Sequence, residues 1–393
     1  MTSAADLEGL VARLVAAHRP ASTPRPAFLR AQYDAGLAWV AKPVGRGGLG
    51  LTVADQATVD RALHAAGAPD NDPAANSIGL GMAAPTLLRY GTTDQVDRFL
   101  RPLWTGEEIW CQLFSEPGAG SDLANVATTA VLDGDTWVVD GQKVWTSGAQ
   151  NAAFAILVAR TDPGAFKHAG LTYFICPMDD PGVEVRPLRQ ITGEAEFNEV
   201  FLTGVRIPDE LRLGAVGQGW EVATATLNNE RVAIGGGESR RESGMIGVVA
   251  DTWRRHPDRR RPVLHDRLLR LWVDAEVARL ASDRVRRRAA DVAPGPGDSA
   301  AKVTFARIAQ QLTSLEVELL GSEGMRYDDW TMRRPERVSF TGRGPGYRYL
   351  RAKGNSIEGG TSEVLLNLIA ERVLGLPAEH RPDKGAPWNE TAR

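Results

Sequence analysis

Two short segments of this chain hold hydroxyl, glycine and indole groups at spacings that suit a redox-active planar ligand. They are Ser115-Glu116-Pro117-Gly118-Ala119-Gly120-Ser121-Asp122 and Trp145-Thr146-Ser147-Gly148. Trp145 offers an apolar face to one side of a ring, while the Ser115 and Ser147 hydroxyls can donate to or accept from ring heteroatoms. The Gly-Ala-Gly-Ser turn lets backbone N–H groups approach a phosphate or diphosphate, because glycine has no side chain in the way and tolerates unusual dihedrals. Taken by itself, Ser-Glu-Pro-Gly is equally an ordinary loop.

The third candidate group is an acid. Leu227, Glu230, Arg231 and Ile234 share one helical face by the i, i+3, i+4, i+7 rule, which sets Glu230 in a partly apolar stripe. Burial there would raise the carboxyl toward neutrality and make it a better proton acceptor, with Arg231 offsetting part of the shift. A solvated Glu–Arg pair is the plainer account of that spacing alone.

The elements that must position these groups change character along the chain. Residues 1–109 read as helices broken by Pro/Gly-rich connections at Pro43 to Gly50 and Gly67 to Asp72, an N-terminal helical domain. Residues 110–213 turn to short β-rich runs: Thr136 to Val139, Gln142 to Thr146, Ala153 to Arg160, Leu171 to Pro177 and Asn198 to Val205. These predict a central β-barrel or sandwich domain. Two Asp-Gly pairs, Asp133-Gly134 and Asp140-Gly141, predict two chain reversals that bring both hydroxyl-bearing segments to one end. Residues 214–377 return to helical periods, with Gly219 to Asp251, Val263 to Arg288, Ser299 to Leu320 and Thr361 to Leu374 forming a C-terminal four-helix bundle. Residues 378–393 read as a mobile polar tail. The fold class is α+β, mostly helical.

Composition narrows the function. A chain of 393 residues, 43% hydrophobic and 24% charged, has the make-up of a soluble protein with more than one core. The net charge of −3 gives no electrostatic case for nucleic acid or an anionic membrane. Arg254, Arg255, Arg259, Arg260 and Arg261, and then Arg284, Arg286, Arg287 and Arg288, read as solvated clusters. Two unpaired cysteines, Cys111 and Cys176, argue against a disulfide framework or a zinc site and point to a reducing compartment. The start has amphipathic spacing at Leu7, Leu10, Val11, Leu14 and Val15 rather than a secretion signal, and no apolar run approaches the roughly 20 residues of a membrane span. A cytoplasmic protein is expected.

With these residues in view, the middle of the chain resembles the acyl-CoA dehydrogenase family, whose flavin segment reads Thr/Ser-Glu-Pro-x-Ala-Gly-Ser-Asp, then Asn/Asp-Gly-x-Lys-x-Trp-x-Thr/Ser. The likeness runs in order from roughly Leu37 to Pro377. It takes in Gly47-Gly48-Leu49-Gly50-Leu51, Tyr90-Gly91-Thr92, Glu199-Val200-Phe201, Gly217-Gln218-Gly219-Trp220, Asn229-Glu230-Arg231 and Gly359-Gly360-Thr361-Ser362-Glu363-Val364. The resemblance implies bound FAD, with Ser115 and Trp145 flanking the isoalloxazine, Ser147 near N5, and Gln112, Phe114, Gly120, Thr361 and Glu363 completing the cofactor site. It places Ser121 near the pyrophosphate or the CoA arm and Arg231 on the substrate side. The implied substrate is an acyl-CoA and the implied electron acceptor an electron-transferring flavoprotein; no metal is needed.

In one branch of that family the catalytic glutamate stands on the first long helix of the C-terminal domain in the same Glu-Arg context, and Glu230 is the residue it carries over to. Glu230 would remove the α-proton of the thioester while the β-hydride passes to the flavin, giving a trans-2-enoyl product. Other branches place the base directly before the Gly-Thr of the carboxy-terminal motif, and that position here is Gly359. Its backbone N–H is then left to bind the thioester oxygen as negative charge develops. Glu358 lies one residue away, where its side chain is redirected unless the loop adjusts.

Two family elements are missing. Arg-x-x-Phe-Gly, which holds the diphosphate of a neighbouring subunit's FAD, is replaced by Arg259-Arg260-Arg261-Pro262-Val263, and Gln-x-x-Gly-Gly appears as Glu318-Leu319-Leu320-Gly321-Ser322. An acid beside a diphosphate is unfavourable unless paired. Two assemblies follow: a homo-oligomer (dimer or tetramer) in which Arg259 to Arg261 supply the missing charge, which is slightly favoured, or a hetero-oligomer with a homologous subunit. The competing functions are a structural half-site subunit and a flavin oxidase or monooxygenase on the same fold.

Overall fold

The computed structural model describes residues 4–234, 240–289, 299–327, 329–335, 341–380 and 385–391; for 230–234 and 285–289 it describes the backbone alone. Apolar residues at helical spacing build the first region. Helix α1 (Ala4–Ala17) buries Leu7, Val11 and Leu14 on one face. These meet Phe28 of α2 (Arg25–Asp34) and Val59 and Leu63 of α3 (Val53–Ala65) in a small core. A π-helical turn, Gly79–Ala83, runs into α4 (Ala84–Tyr90). Helix α5 (Thr93–Thr105) starts at a reciprocal cap, in which Thr92 Oγ1 accepts from the Gln95 N–H and the Gln95 side chain accepts from the Thr92 N–H. It stops at Gly106, whose φ of 76° favours glycine.

A seven-stranded sheet follows: β1 (Trp110–Leu113), β2 (Thr129–Asp133), β3 (Thr136–Ser147), β4 (Phe154–Arg160), β5 (Leu171–Pro177), β6 (Val183–Leu188) and β7 (Phe197–Pro208). The spatial order is β1-β4-β2-β3-β7-β6, with β5 also paired to β4. Strands β4 and β5 read as nearly continuous apolar runs because both their faces are covered. Ile156, Val158, Tyr173 and Ile175 face the core shared with α4 and α5, while Ala155, Leu157 and Phe174 face a second core with Val200, Leu202 and Ile207 of β7.

One expected reversal does not occur. Asp133-Gly134 closes the β2–β3 hairpin, but β3 runs on through Asp140-Gly141 with a register shift opposite β7. Glycine at 141 serves a close approach instead: a Cβ there would lie 2.8 Å from Thr128 Cα. The expected separate strands on either side of Asp140-Gly141 are therefore one.

The C-terminal region comprises α6 (Gly219–Ile234), α7 (Met245–Arg255), α8 (Pro262–Ala289), α9 (Ser299–Leu320), α10 (Pro345–Ala352) and α11 (Ser362–Arg372). The expected continuous helix from Gly219 to Asp251 is divided: Glu242 and Gly244, at φ 58° and 73°, precede a fresh helix start at Met245. Helix α9 is the shared member of the bundle, touching α7, α8, α10 and α11. Ile308, Leu312, Leu315 and Leu319 line its seam against Ile246 and Val249 of α7 and Leu264, Leu268 and Leu271 of α8. Helix α6 packs mainly on β5, α4 and the π-helical turn, with a smaller contact to α9.

The tail is anchored where the sequence reading expects mobility. Trp388 is buried, its indole N–H donating to Asn125 Oδ1 at 2.8 Å and its ring lying 4.1 Å from the Arg160 guanidinium carbon.

Candidate functional site

The two hydroxyl-bearing segments meet through backbone pairing. The Val144 N–H donates to the Ser115 carbonyl at 2.9 Å, and the turn Glu116–Ala119 is closed by reciprocal backbone bonds of 3.0 Å. Under this junction lies a buried ion pair that the sequence reading missed. Lys143 is fully buried, and its Nζ donates to Glu116 Oε1 (2.8 Å), the Phe114 carbonyl (3.0 Å) and the Val158 carbonyl (2.8 Å). Glu116 also accepts from the N–H groups of Ala127 (2.6 Å) and Thr128 (3.0 Å). Burial pushes the Glu116 carboxyl up, but Lys143 and these donors hold it below the usual carboxylate range; burial outweighs Glu116 at Lys143 and lowers the ammonium. The pair holds the two segments rigidly together, and its only sequence signal is Glu and Lys inside the matched motifs.

Trp145 is shaped by the strand that carries it. A second register shift, between Lys143 and Thr146, throws it into the left-handed region at φ 62°, an uncommon place for a bulky residue. Its indole is 56% exposed and meets Phe197 edge-on at 5.8 Å. Beyond it Ser147 pairs with Phe197 in the sheet register, and Asn198 Nδ2 donates to the Thr146 carbonyl at 3.0 Å. Buried Thr146 Oγ1 has no hydrogen-bond partner among the described residues.

The other proposed cofactor residues divide by what already holds them. Ser115 and Ser147 are half-buried, and Ser121 and Gly120 are exposed. Open space lies where a Cβ would stand on Gly118 or Gly120, so the backbone of this turn is accessible. Phe114 buries its ring against Tyr173 at 5.7 Å and lends its carbonyl to Lys143. Gln112, half-buried on β1, pairs in register with Ile156. A cleft of about 340 Å³ is lined by Glu116, Gly118, Thr128, Gln142 and Trp388 but by neither Trp145 nor Ser147, so it is a different face of the turn.

The carboxy-terminal motif forms a loop and a helix start. Gly359 and Gly360 are left-handed at φ 64° and 91°, and Thr361 Oγ1 accepts from the Val364 N–H at 3.2 Å to cap α11, with Glu363 exposed in the first turn. Buried Lys302 donates to the Gly360 carbonyl at 2.5 Å, and Gln310 Nε2 donates to the Ala352 carbonyl and Ser356 Oγ, both at 3.1 Å. Glu358 is committed to Arg351, with Oε2 3.0 Å from Nη2.

Glu230 and Arg231 lie in the last turn of α6, and their side chains fall outside the described residues. The helix that carries them is fixed one turn earlier by a hydroxyl trio that sequence reasoning did not find. Thr226 Oγ1 is 2.9 Å from Thr86 Oγ1 and 3.0 Å from the Tyr173 hydroxyl, all buried, and it donates to the Val222 carbonyl at 2.9 Å. Thr226 thereby turns its own face of the helix to α4 and β5.

The displaced half-site elements are filled from within the chain. Glu318 is paired with Arg261 at 3.2 Å and with Arg267. Arg259 donates to the Leu320 carbonyl at 2.5 Å and meets Glu323 at 2.8 Å, while Arg260 donates to the carbonyls of Trp253 (3.0 Å) and Arg254 (2.9 Å). Among the described residues no cluster of His, Cys, Asp or Glu could hold a metal ion, and no helix is long and apolar enough to cross a membrane.

Comparison with known proteins meets this geometry domain by domain. The N-terminal, middle and C-terminal domain models of acyl-CoA dehydrogenase match residues 7–107, 111–205 and 217–374. The chain belongs to the acyl-CoA dehydrogenase family, FAD flavoproteins, and is an oxidoreductase. It is 40% identical over 345 residues to acyl-CoA dehydrogenase IpdE1 of Mycobacterium tuberculosis, covering 88% of this chain and 86% of that protein. Among solved structures it is similar to the Tcur3481-Tcur3483 steroid ACAD, with a TM-score of 0.72 at 26% identity over 96% of this chain and 98% of that one. It is also similar to the ChsE4-ChsE5 complex from Mycobacterium tuberculosis, with a TM-score of 0.69 at 27% identity over 96% and 97%.

Proposed function

We propose that this chain binds FAD and catalyses α,β-dehydrogenation of an acyl-CoA thioester to a trans-2-enoyl-CoA. The observation that carries the reading is the Ser115–Val144 junction. It sets an exposed indole, half-buried serines and an accessible glycine turn on one support, with the Thr146 hydroxyl, unpartnered among the described residues, in the same strand segment. These groups fit a flavin and its diphosphate. When bound, FAD supplies the two-electron acceptor for the reaction. Within the chain, Glu230 takes the α-proton, the Gly359 N–H donates to the thioester oxygen as charge builds there, and Ser121 and Arg231 meet the CoA arm. Glu358 is ill suited to be the base, because Arg351 already holds its carboxylate.

The test is anaerobic bleaching of the bound flavin across an acyl-CoA panel. One neighbour is named a steroid ACAD, so thioesters with polycyclic acyl groups belong in that panel beside straight-chain ones. Bleaching by at least one member is expected, with electrons passing on to an electron-transferring flavoprotein in the cytoplasm. Bleaching by none, with rapid oxygen consumption by chemically reduced protein, would make the chain an oxidase instead.

For assembly, the paired state of Glu318 and the commitments of Arg259, Arg260 and Arg261 favour a hetero-oligomer with a homologous subunit over a homo-oligomer. The arginines that would repair the half-site already serve acceptors in their own chain.

A further inference from the structure

A second cluster of charges lies between the Trp145 bulge and the Gly359 loop. Glu196, 3% exposed, directly precedes β7, and among the described residues neither carboxylate oxygen accepts a hydrogen bond of good geometry. Its Oε1 stands 3.2 Å from Nε of Arg351 on α10, an ion pair without hydrogen-bond geometry. The same guanidinium holds Glu358 at 3.0 Å, directly before Gly359. On the other side, the Glu196 carbonyl accepts from the Gly148 N–H at 3.3 Å, and the next residue, Phe197, meets Trp145 edge-on. One buried acid thus touches both halves of the proposed site.

The charges around it leave room for a proton. Glu194 is held by Arg343 and by the Tyr347 hydroxyl at 2.6 Å, and Arg334 donates to Asn198 Oδ1 at 2.5 Å. Among the described residues, three carboxylates, Glu194, Glu196 and Glu358, therefore meet two arginines, Arg343 and Arg351, and Glu196 is the one with the fewest donors. Burial pushes Glu196 up to about 7; Arg351 opposes this, while Glu358 and Glu194 add to it.

We propose that Glu196 is a positioning residue: through Arg351 and Glu358 it fixes the Gly359 loop against the Trp145 bulge, so that its protonation state is felt by the bound flavin. The proposal rests on the FAD-binding part of the reading above. Neutral Glu196 leaves the Arg351–Glu358 pair undisturbed and holds the loop; ionised Glu196 competes for the same guanidinium and draws it toward the β domain.

The test is a pH titration of the flavin spectrum in the FAD-loaded protein, coexpressed with a homologous subunit where the lone chain loads incompletely. Wild type should show one transition with a midpoint near neutrality, absent in Glu196→Gln. Glu358→Gln, which removes a charge that disfavours Glu196 ionisation, should move the midpoint down by about half a pH unit or more. That second variant decides the matter if Glu196→Gln does not fold. No transition in wild type, an unchanged transition in Glu196→Gln, or an upward shift in Glu358→Gln overturns the proposal. A flavin that titrates as expected yet is bleached by no acyl-CoA defeats the functional reading alone; one that is bleached but does not titrate defeats this proposal alone.

Discussion

Lys143 Nζ lies 2.8 Å from Glu116 Oε1 in an environment with no exposure of the lysine side chain. Removing one member of such a pair strands the other charge in a poorly solvated interior, at a cost of ~3–5 kcal/mol. Lys143→Met should therefore lower stability on that scale. The double change with Glu116→Gln should recover part of it, because no uncompensated charge remains. Denaturant midpoints of the three proteins check this; a single variant as stable as wild type would mean the pair is hydrated.

Trp145 holds a left-handed backbone at φ 62°. A non-glycine residue there carries a backbone penalty of ~1–2 kcal/mol, and its 56% exposed indole has little burial to set against it. Trp145→Gly is expected to leave the thermal stability of the flavin-free protein unchanged or raised. It should weaken FAD binding by about tenfold, the equivalent of one aromatic contact. Melting curves and flavin titration measure the two effects separately, and unaltered FAD affinity would remove Trp145 from the site.

Glu230→Gln should fold and hold FAD but lose at least roughly two orders of magnitude in flavin reduction by an acyl-CoA, the scale of a positioned general base. Glu358→Gln should be far milder in rate at its own optimal pH. Stopped-flow reduction under anaerobic conditions compares them, and the reverse order would move the base to the carboxy-terminal loop.

The pH dependence of stability carries a defined sign at Glu196. Its carboxyl is raised from 4.5 to about 7 on folding. The protonated form is favoured in the folded state, so the contribution is fully present below about 4.5 and is lost as pH rises through about 7. The melting temperature of wild type relative to Glu196→Gln should fall across that window. Parallel profiles would show that Glu196 does not titrate differently on folding.

FAD stoichiometry tests the assembly. With Glu318 and Arg259 to Arg261 engaged inside the chain, protein expressed alone should hold less than one FAD per chain, and a coexpressed homologous subunit should restore the count. A full complement in the lone chain rules out an obligate heteromer.

The sequence by itself determined the parts whose information is local or carried by ordered motifs. The hydroxyl-bearing segments, the helical faces of α1 and α9 and the apolar runs of β4 and β5 follow from short-range spacing, and the family was legible because many segments matched in order. Only the tertiary structure decided how those parts meet. Asp-Gly at 140–141 is a turn signal locally, but pairing of β3 with β7 and the approach of Thr128 override it. Helix α10, eight residues opening on Pro-Gly, is too short to show a period. Lys143 and Glu116 are 27 residues apart, and Glu196 of the β domain meets Arg351, and through it Glu358, across the proposed site from far along the chain. Spacing cannot report such meetings, because they arise from burial and from the need of each buried charge for a partner, which exist only once the chain has closed on itself.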